Sequence, residues 1–374
     1  MNLKNLVFTL LALWGMAAKA QHTVTISGTV DCVGDVDRVV VQENNGFEHI
    51  VVAETAIKPD HTFSMKVTRQ KPGALSVMAC DAQSVRVWVD DEDISIHFQG
   101  VDTASVWVNK PRYIPIRGGK KNQLVDLFNF SSAHNYYLQQ EMAGLVSDLE
   151  LEDASLNKAI TAVYDVTNKE LTAEAKHLLE VYGDLPSAMM LMPYVAKDEA
   201  YLEKALQRLE KANPGTTLAS DYRAKRADVA RKKAQSAVGQ PAPDLTFPDE
   251  KGKMVSLSDL KGKVVIVDFW ASWCGPCRAE TPKLKAIYED YKGDKRVAFV
   301  SISIDEKKAA WTKALAEEQT PWINLLAPNS GREAMDKYQF NGIPFIICID
   351  KEGKIFRKDL RGDAIRKAIE DALN

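Results

Sequence analysis

From His22 to about Arg117, apolar and polar positions alternate, with turn residues between the runs. Thr23-Val24-Thr25-Ile26-Ser27, Thr62-Phe63-Ser64-Met65-Lys66-Val67 and Ser84-Val85-Arg86-Val87-Trp88-Val89 show the period-two pattern of half-buried strands. Val39-Val40-Val41 runs up to an Asn44-Asn45-Gly46 turn signal. About seven or eight such runs predict an all-β N-terminal domain over 21–117, an antiparallel sandwich or open barrel. From Lys120 to about Val238 the period becomes helical. Leu124, Leu127 and Phe128, then Ala159, Val163 and Val166, fit one buried helix face. Gly183-Asp184-Leu185-Pro186 and Asn213-Pro214-Gly215 break this helical middle segment, which spans 118–237. Its last helix mixes Arg223, Lys225, Arg226, Arg231, Lys232 and Lys233 with Asp221 and Asp228, the pattern of a solvated connecting helix.

Gly239-Gln240-Pro241-Ala242-Pro243 marks a boundary, and strands and helices alternate from there to Asn374. Lys263–Trp270 is a continuous apolar strand of the kind buried on both faces. A helix over about Pro276–Tyr291, a strand over Arg296–Ile304 and a helix near Lys307–Glu318 follow. Strands Phe345–Asp350 and Lys354–Lys358 and a helix from about Asp363 complete an α/β domain over 238–374.

The first 20 residues follow another pattern. Lys4, an apolar run from Leu6 to Met16, and Ala18-Lys19-Ala20 are the three parts of a secretory leader. The run is about 11 residues, short of the ~20 that span a bilayer. The mature chain is therefore expected to begin at Gln21, exported to the periplasm or cell envelope and soluble there. No cysteine follows the cleavage site, which argues against a lipid anchor. Losing Lys4 and Lys19 takes the net charge from −3 to −5, so the chain lacks a global field for nucleic acid. Five cysteines in 374 residues also exclude a disulfide-dense miniprotein.

Cys274-Gly275-Pro276-Cys277 stands where the buried strand turns into a helix. Unpaired backbone N–H groups and the positive end of the helix dipole stabilise an anion there. Cys274 is thus the expected attacking thiolate, and Cys277, one turn on, can resolve the mixed disulfide. Pro276 suits a first helical turn, where the N–H it lacks would have no partner. Structural zinc is the alternative for paired cysteines, but it needs four Cys or His ligands. All six histidines precede residue 178, and the last domain's only other thiol is Cys348. The same absence removes a Cys–His nucleophilic site within this domain. No metal or cofactor is implied.

Val267-Asp268-Phe269-Trp270-Ala271-Ser272-Trp273-Cys274-Gly275-Pro276-Cys277-Arg278 resembles the active-site stretch of thioredoxins. Val238–Asp244 and Leu257–Lys263 resemble the lead-in of the TlpA/ResA-like envelope branch, and Gly342-Ile343-Pro344 resembles the family's cis-proline loop. The resemblance covers residues 238–374, just over a third of the chain, and implies a thioredoxin-like fold there. It implies Cys274 as nucleophile and Cys277 as resolving thiol. Pro344 would lie in a cis bond against the dithiol, leaving the backbone of Ile343 to pair with substrate. Trp273, Gly275 and Pro276 would complete the substrate-binding surface, plain packing being the alternative for Trp273. Asp268, an acid in an apolar strand, matches the buried acid that moves a proton for the second cysteine, and burial should raise its pKa. Glu280, three residues after Cys277, matches an acid of ResA-like members; ordinary helix N-terminal charge is its alternative.

Two positions depart from the pattern. Where thioredoxins often place a lysine near the buried acid, this strand reads Val300-Ser301-Ile302, which implies a weaker proton network. Phe345 follows the proline where a small polar residue is common, which implies a more apolar docking surface. Cys348 reads as a buried core thiol. Cys32 and Cys80, an even pair in an exported chain, are consistent with a structural disulfide, two separate buried thiols or a second redox couple.

The leading functional expectation is an exported thiol–disulfide oxidoreductase that reduces disulfide-bonded protein substrates. Gly-Pro between the cysteines resembles reducing thioredoxins, whose potential is about −270 mV against about −120 mV for strong oxidants. A reductase in an oxidising compartment needs electrons, for which a membrane thiol donor is the expected partner. One alternative is a thiol peroxidase, but those enzymes resemble a pattern with Thr three residues before the reactive Cys, where Ala271 stands here. Another is an envelope protein whose residues 21–235 bind a partner or polymer, with Trp88, Phe98, Trp107 and Tyr113 available for a binding face and the redox domain accessory.

Overall fold

The alternating runs fold as strands and the 3.6-period runs as helices. A computed structural model describes residues 21–45, 48–101, 113–147 and 153–374. The expected leader over 1–20, Gly46 and Trp107 lie outside the described residues. The chain divides into two compact units, residues 1–219 and 220–374.

In the first unit the strands are β1 His22–Cys32, β2 Arg38–Asn45, β3 Glu48–Ala56, β4 Thr62–Arg69, β5 Gly73–Ala79, β6 Gln83–Val89, β7 Ile94–Gly100 and β8 Ile116–Arg117. They form two four-stranded sheets, in the orders β4-β1-β7-β8 and β3-β2-β5-β6. Val24, Ile26, Phe63, Ile96 and Phe98 of the first sheet share one core with Val39, Val41, Val77 and Val87 of the second. The arrangement is not wholly antiparallel, since β1 and β7 run parallel. Trp88 and Phe98 are buried in this core and present no binding face, while Tyr113 packs edge-on against Phe130.

Five helices follow: α1 Lys120–Ser147, α2 Asp153–Tyr182, α3 Met192–Val195, α4 Glu199–Ala212 and α5 Leu218–Gln235. The division between units falls inside α5. The buried stripe of α1 runs through Leu124, Val125 and Phe128 to Asn135 and Gln139, which bond to Thr167 of α2. This seam is narrower than the apolar pattern implies, so Leu127 and Val166, expected on the buried face, are exposed. Among the described residues, no helix is long and apolar enough to cross a membrane.

After α5 the second unit forms a small hairpin, β9 Thr246–Pro248 and β10 Met254–Ser256. It continues through β11 Val264–Trp270, α6 Gly275–Tyr291, β12 Val297–Ser303, α7 Lys308–Glu318, β13 Ile323–Leu326, α8 Arg332–Tyr338, β14 Phe345–Ile349, β15 Ile355–Arg357 and α9 Asp363–Leu373. The sheet order is β13-β12-β11-β14-β15. β11, β12 and β13 run parallel, while β14 is antiparallel to both β11 and β15. This is the expected thioredoxin-like α/β arrangement. All of β11 is buried, and its period of two sorts the side chains between two layers. Val265, Val267 and Phe269 pack with Trp311 of α7 and Met335 and Tyr338 of α8. Val264 and Ile266 pack with Leu284 and Ile287 of α6 and Ile365 and Ile369 of α9.

The remaining cysteines settle into different environments. Cys32 is an exposed free thiol at the end of β1, and Cys80 is a buried free thiol in the turn after β5. The Cys32–Cys80 disulfide considered from the sequence is therefore not formed, and of the two thiols only Cys80 is buried. Burial pushes the Cys80 thiol up. Cys348 is fully buried in β14, where loss of hydration pushes its thiol up to about 12. Iodoacetamide should accordingly modify Cys32 in the native oxidised chain and reach Cys80 and Cys348 only after unfolding. Peptide mass spectrometry checks this, and early labelling of Cys348 would contradict its burial.

Candidate active site

At the carboxyl end of β11 the chain turns sharply into α6, and Cys274 caps that helix. A buried acid fixes the turn. Asp305 Oδ2 accepts the Ser272 amide at 2.9 Å, and its Oδ1 accepts the Ser272 hydroxyl at 2.7 Å. The Ser303 hydroxyl donates to the same carboxylate at 2.7 Å. Three donors satisfy an acid that would otherwise be costly to bury. Ser272, two residues before Cys274, is thereby held to β12 and the residues just past it.

Cys274 and Cys277 form a disulfide with Cα atoms 5.3 Å apart. The Cys277 amide also points at Cys274 Sγ, 3.2 Å away. This is a free N–H of the first helical turn aimed at sulfur, the arrangement that stabilises a thiolate once the disulfide opens. Pro276 lies in that same turn. Both cysteines are buried, whereas Gly275 and Pro276 are exposed and Trp273 is 69% exposed. A tryptophan this open contributes little to the core. The Ile343–Pro344 bond is cis, and Ile343 packs against the apolar cluster that contains both cysteines. Phe345 is buried and stacks on Phe340, so it adds nothing to an outer docking surface, contrary to the sequence expectation.

Asp268 shares the face of β11 that carries Val264 and Ile266, toward α6 and α9. Its register partners are Ser301 on β12 and Ile346 on β14. The Ser301 hydroxyl donates to Asp268 Oδ2 at 3.1 Å. Burial pushes the Asp268 carboxyl up to about 7; the Ser301 hydroxyl and the Arg361 guanidinium oppose the shift, and the Glu280 charge adds to it. Folding therefore makes this acid hold its proton more tightly. Its stabilising contribution is complete below the ordinary carboxyl range and is lost as pH rises toward about 7.

Glu280 is buried on α6, one turn beyond Cys277. Its Oε1 accepts the Gly362 amide at 2.5 Å, and its Oε2 pairs with Lys283 at 3.1 Å. Gly362 caps α9 at φ 50°, so the carboxylate sits at the positive end of that helix. Next to it, the Arg361 guanidinium donates to the carbonyl of Pro344. The stretch just before α9 thus touches both the acid on α6 and the cis-proline loop.

Motif reading alone does not find Asp305, Arg361 or Gly362. Ser301 stands out only as a departure from the lysine expected near the acid. The signal for it is strand register: laying the two apolar strands side by side in parallel brings residues 268 and 301 together.

The AhpC/TSA family matches residues 238–358. The thiol-disulfide oxidoreductase ResA of Bacillus cereus is 30% identical over 141 residues, 38% of this chain and 79% of that protein. ResA of Bacillus subtilis is 32% identical over 136 residues, 36% of this chain and 74% of that protein. A crystal structure of the thioredoxin domain of a Bacteroides vulgatus thiol-disulfide oxidoreductase is 40% identical, covering 37% of this chain and 99% of that one with a TM-score of 0.35. With the dithiol at the head of α6, the two ResA relatives place the chain in the TlpA/ResA-like branch of the thioredoxin superfamily, and it is a thiol-disulfide oxidoreductase.

Proposed function

We propose that this protein is exported and reduces disulfides in other proteins, working at the Cys274–Cys277 pair with electrons from a membrane dithiol donor. The observation that carries this reading is the helix-capping Cys274, whose sulfur receives the Cys277 amide beside an exposed Trp273. In the reduced form the Cys274 thiolate attacks one sulfur of a substrate disulfide. A mixed disulfide forms and the other substrate sulfur leaves as a thiolate. Cys277, deprotonated by Asp268, then attacks Cys274 Sγ and expels the second substrate thiolate, which takes up a proton. The substrate gains two electrons and the enzyme ends as the Cys274–Cys277 disulfide; a donor dithiol reverses this by the same exchange.

Asp268 suits the proton step because its raised pKa lies near neutral pH, where a group can both give and take a proton. Glu280, held by Gly362 and Lys283, acts on Asp268 through its charge. Trp273, Gly275, Pro276, Ile343 and Pro344 form the docking surface, with the Ile343 backbone pairing to the substrate strand. The Pro344 carbonyl is already engaged by Arg361. A peroxidase reading finds less support, because Ala271 is buried and offers no hydroxyl three residues before Cys274.

Equilibration of the mature chain with dithiol/disulfide buffers, followed by Trp273 fluorescence, tests the direction of electron flow. A reductase should titrate below roughly −220 mV; a midpoint near −120 mV would make the protein an oxidant. Asp268→Asn should stabilise the oxidised chain against urea at pH 8, where the native carboxyl is forced to ionise while buried, and have less effect at pH 4. Equal shifts in the unfolding midpoint at both pH values would contradict the raised pKa of Asp268.

A further inference from the structure

Asp268 has one uncharged hydrogen-bond donor beside it, the Ser301 hydroxyl, and that hydroxyl has a second neighbour. The indole Nε1–H of Trp322 donates to Ser301 Oγ at 2.9 Å. An indole nitrogen only donates, whereas a hydroxyl has a single proton and two acceptor sites. Ser301 must therefore be the acceptor toward Trp322, and its own proton is left for Asp268 Oδ2, 3.1 Å away. A hydroxyl polarised by a donor on its oxygen is itself a better donor. The chain of bonds runs one way, from indole to hydroxyl to carboxylate.

The position of Trp322 is itself constrained. It lies just before β13, the strand paired with β12. Its carbonyl accepts from the side-chain amide of buried Asn324 at 2.9 Å. Its ring packs against both Tyr288 of α6 and Phe299 of β12, at centroid distances of 5.4 and 5.9 Å. Packing thus aims the indole N–H, and strand register places Ser301 between that N–H and the acid.

We propose that Trp322 is a positioning residue for the exchange reaction: its indole N–H takes one of the two acceptor sites of the Ser301 hydroxyl, leaving that hydroxyl's proton for Asp268 and making it a better donor. The pair takes the place of the lysine that thioredoxins often set near this acid, by a neutral relay. The relay favours the ionised carboxylate and so eases release of the proton from Asp268 as the dithiol is regenerated. The charged groups acting on the acid from other elements are Glu280 on α6, itself paired with Lys283, and Arg361 before α9; β14 offers apolar Ile346. The proposal rests on Asp268 as the proton carrier of the reaction.

The test is the titration of the Asp268 carboxyl in the full mature oxidised chain, followed by carbon-13 NMR of labelled aspartate and assigned by its loss in Asp268→Asn. Ser301→Ala should raise the midpoint by roughly one pH unit, the worth of a hydrogen bond to a charged group. Trp322→Phe keeps a ring against Tyr288 and Phe299 but removes the N–H, and should raise the midpoint by a smaller amount. The double variant should match Ser301→Ala alone, because Trp322 acts only through Ser301. An unmoved midpoint in Trp322→Phe, or additive shifts in the double variant, would overturn the relay. Should Ser301→Ala fail to fold, the Trp322→Phe shift decides alone. The readout needs no turnover, so a failure of Asp268 as proton carrier would show separately, as an unchanged pH–rate profile in Asp268→Asn.

Discussion

A carboxyl group inside an apolar sheet is hard to accommodate as an anion, and β11 carries one at Asp268 between Ile266 and Trp270. In water the group would be ionised at neutral pH; here lost hydration holds its proton to about pH 7. The surroundings moderate this penalty without removing it. Ser301 supplies a donor, Arg361 a distant positive charge, and Glu280 a negative charge that works the other way. A buried acid poised near neutrality lowers the stability of the chain at physiological pH, and it is the proton carrier of the exchange proposed above.

β11 and the head of α6 set up two opposite electrostatic environments. At the helix head, the Cys277 amide and the helix dipole favour negative charge on Cys274. One layer in, desolvation disfavours negative charge on Asp268. Groups whose environments push their proton affinities apart divide naturally into nucleophile and proton carrier. Both depend on a rigid frame: Asp305 fixes the loop before Cys274, Glu280 fixes the start of α9, and Arg361 ties that start to the cis-proline loop. These polar bonds join segments far apart in the sequence, so disturbing one should reach the others.

Much of this was legible in the amino-acid pattern. The apolar run ending at Trp270, the CxxC at the strand-to-helix turn and Gly342-Ile343-Pro344 are local features, and the major elements fall within a few residues of where periodicity puts them. β13 and α8 did not stand out, being four and seven residues long and thus shorter than the window in which periodicity shows. Leu127 and Val166 read as buried because they are apolar, but the α1–α2 seam is built partly from Asn135, Gln139 and Thr167. The sequence left Cys32 and Cys80 open between a disulfide, two buried thiols and a redox couple, because counting cysteines carries no information on their separation in space. The polar frame of the site is long-range: Asp268 meets Ser301 across 33 residues and Glu280 meets Gly362 across 82, and only strand register and helix docking bring them together.

The most direct test of the coupling between acid and dithiol is the reduction potential of the Cys274–Cys277 couple measured across pH, in the wild-type chain and in Asp268→Asn. If Asp268 exchanges its proton with Cys277, the wild-type curve should bend near pH 7 and the bend should vanish in the variant. Superimposable curves would mean that the buried carboxyl is a bystander to the redox chemistry.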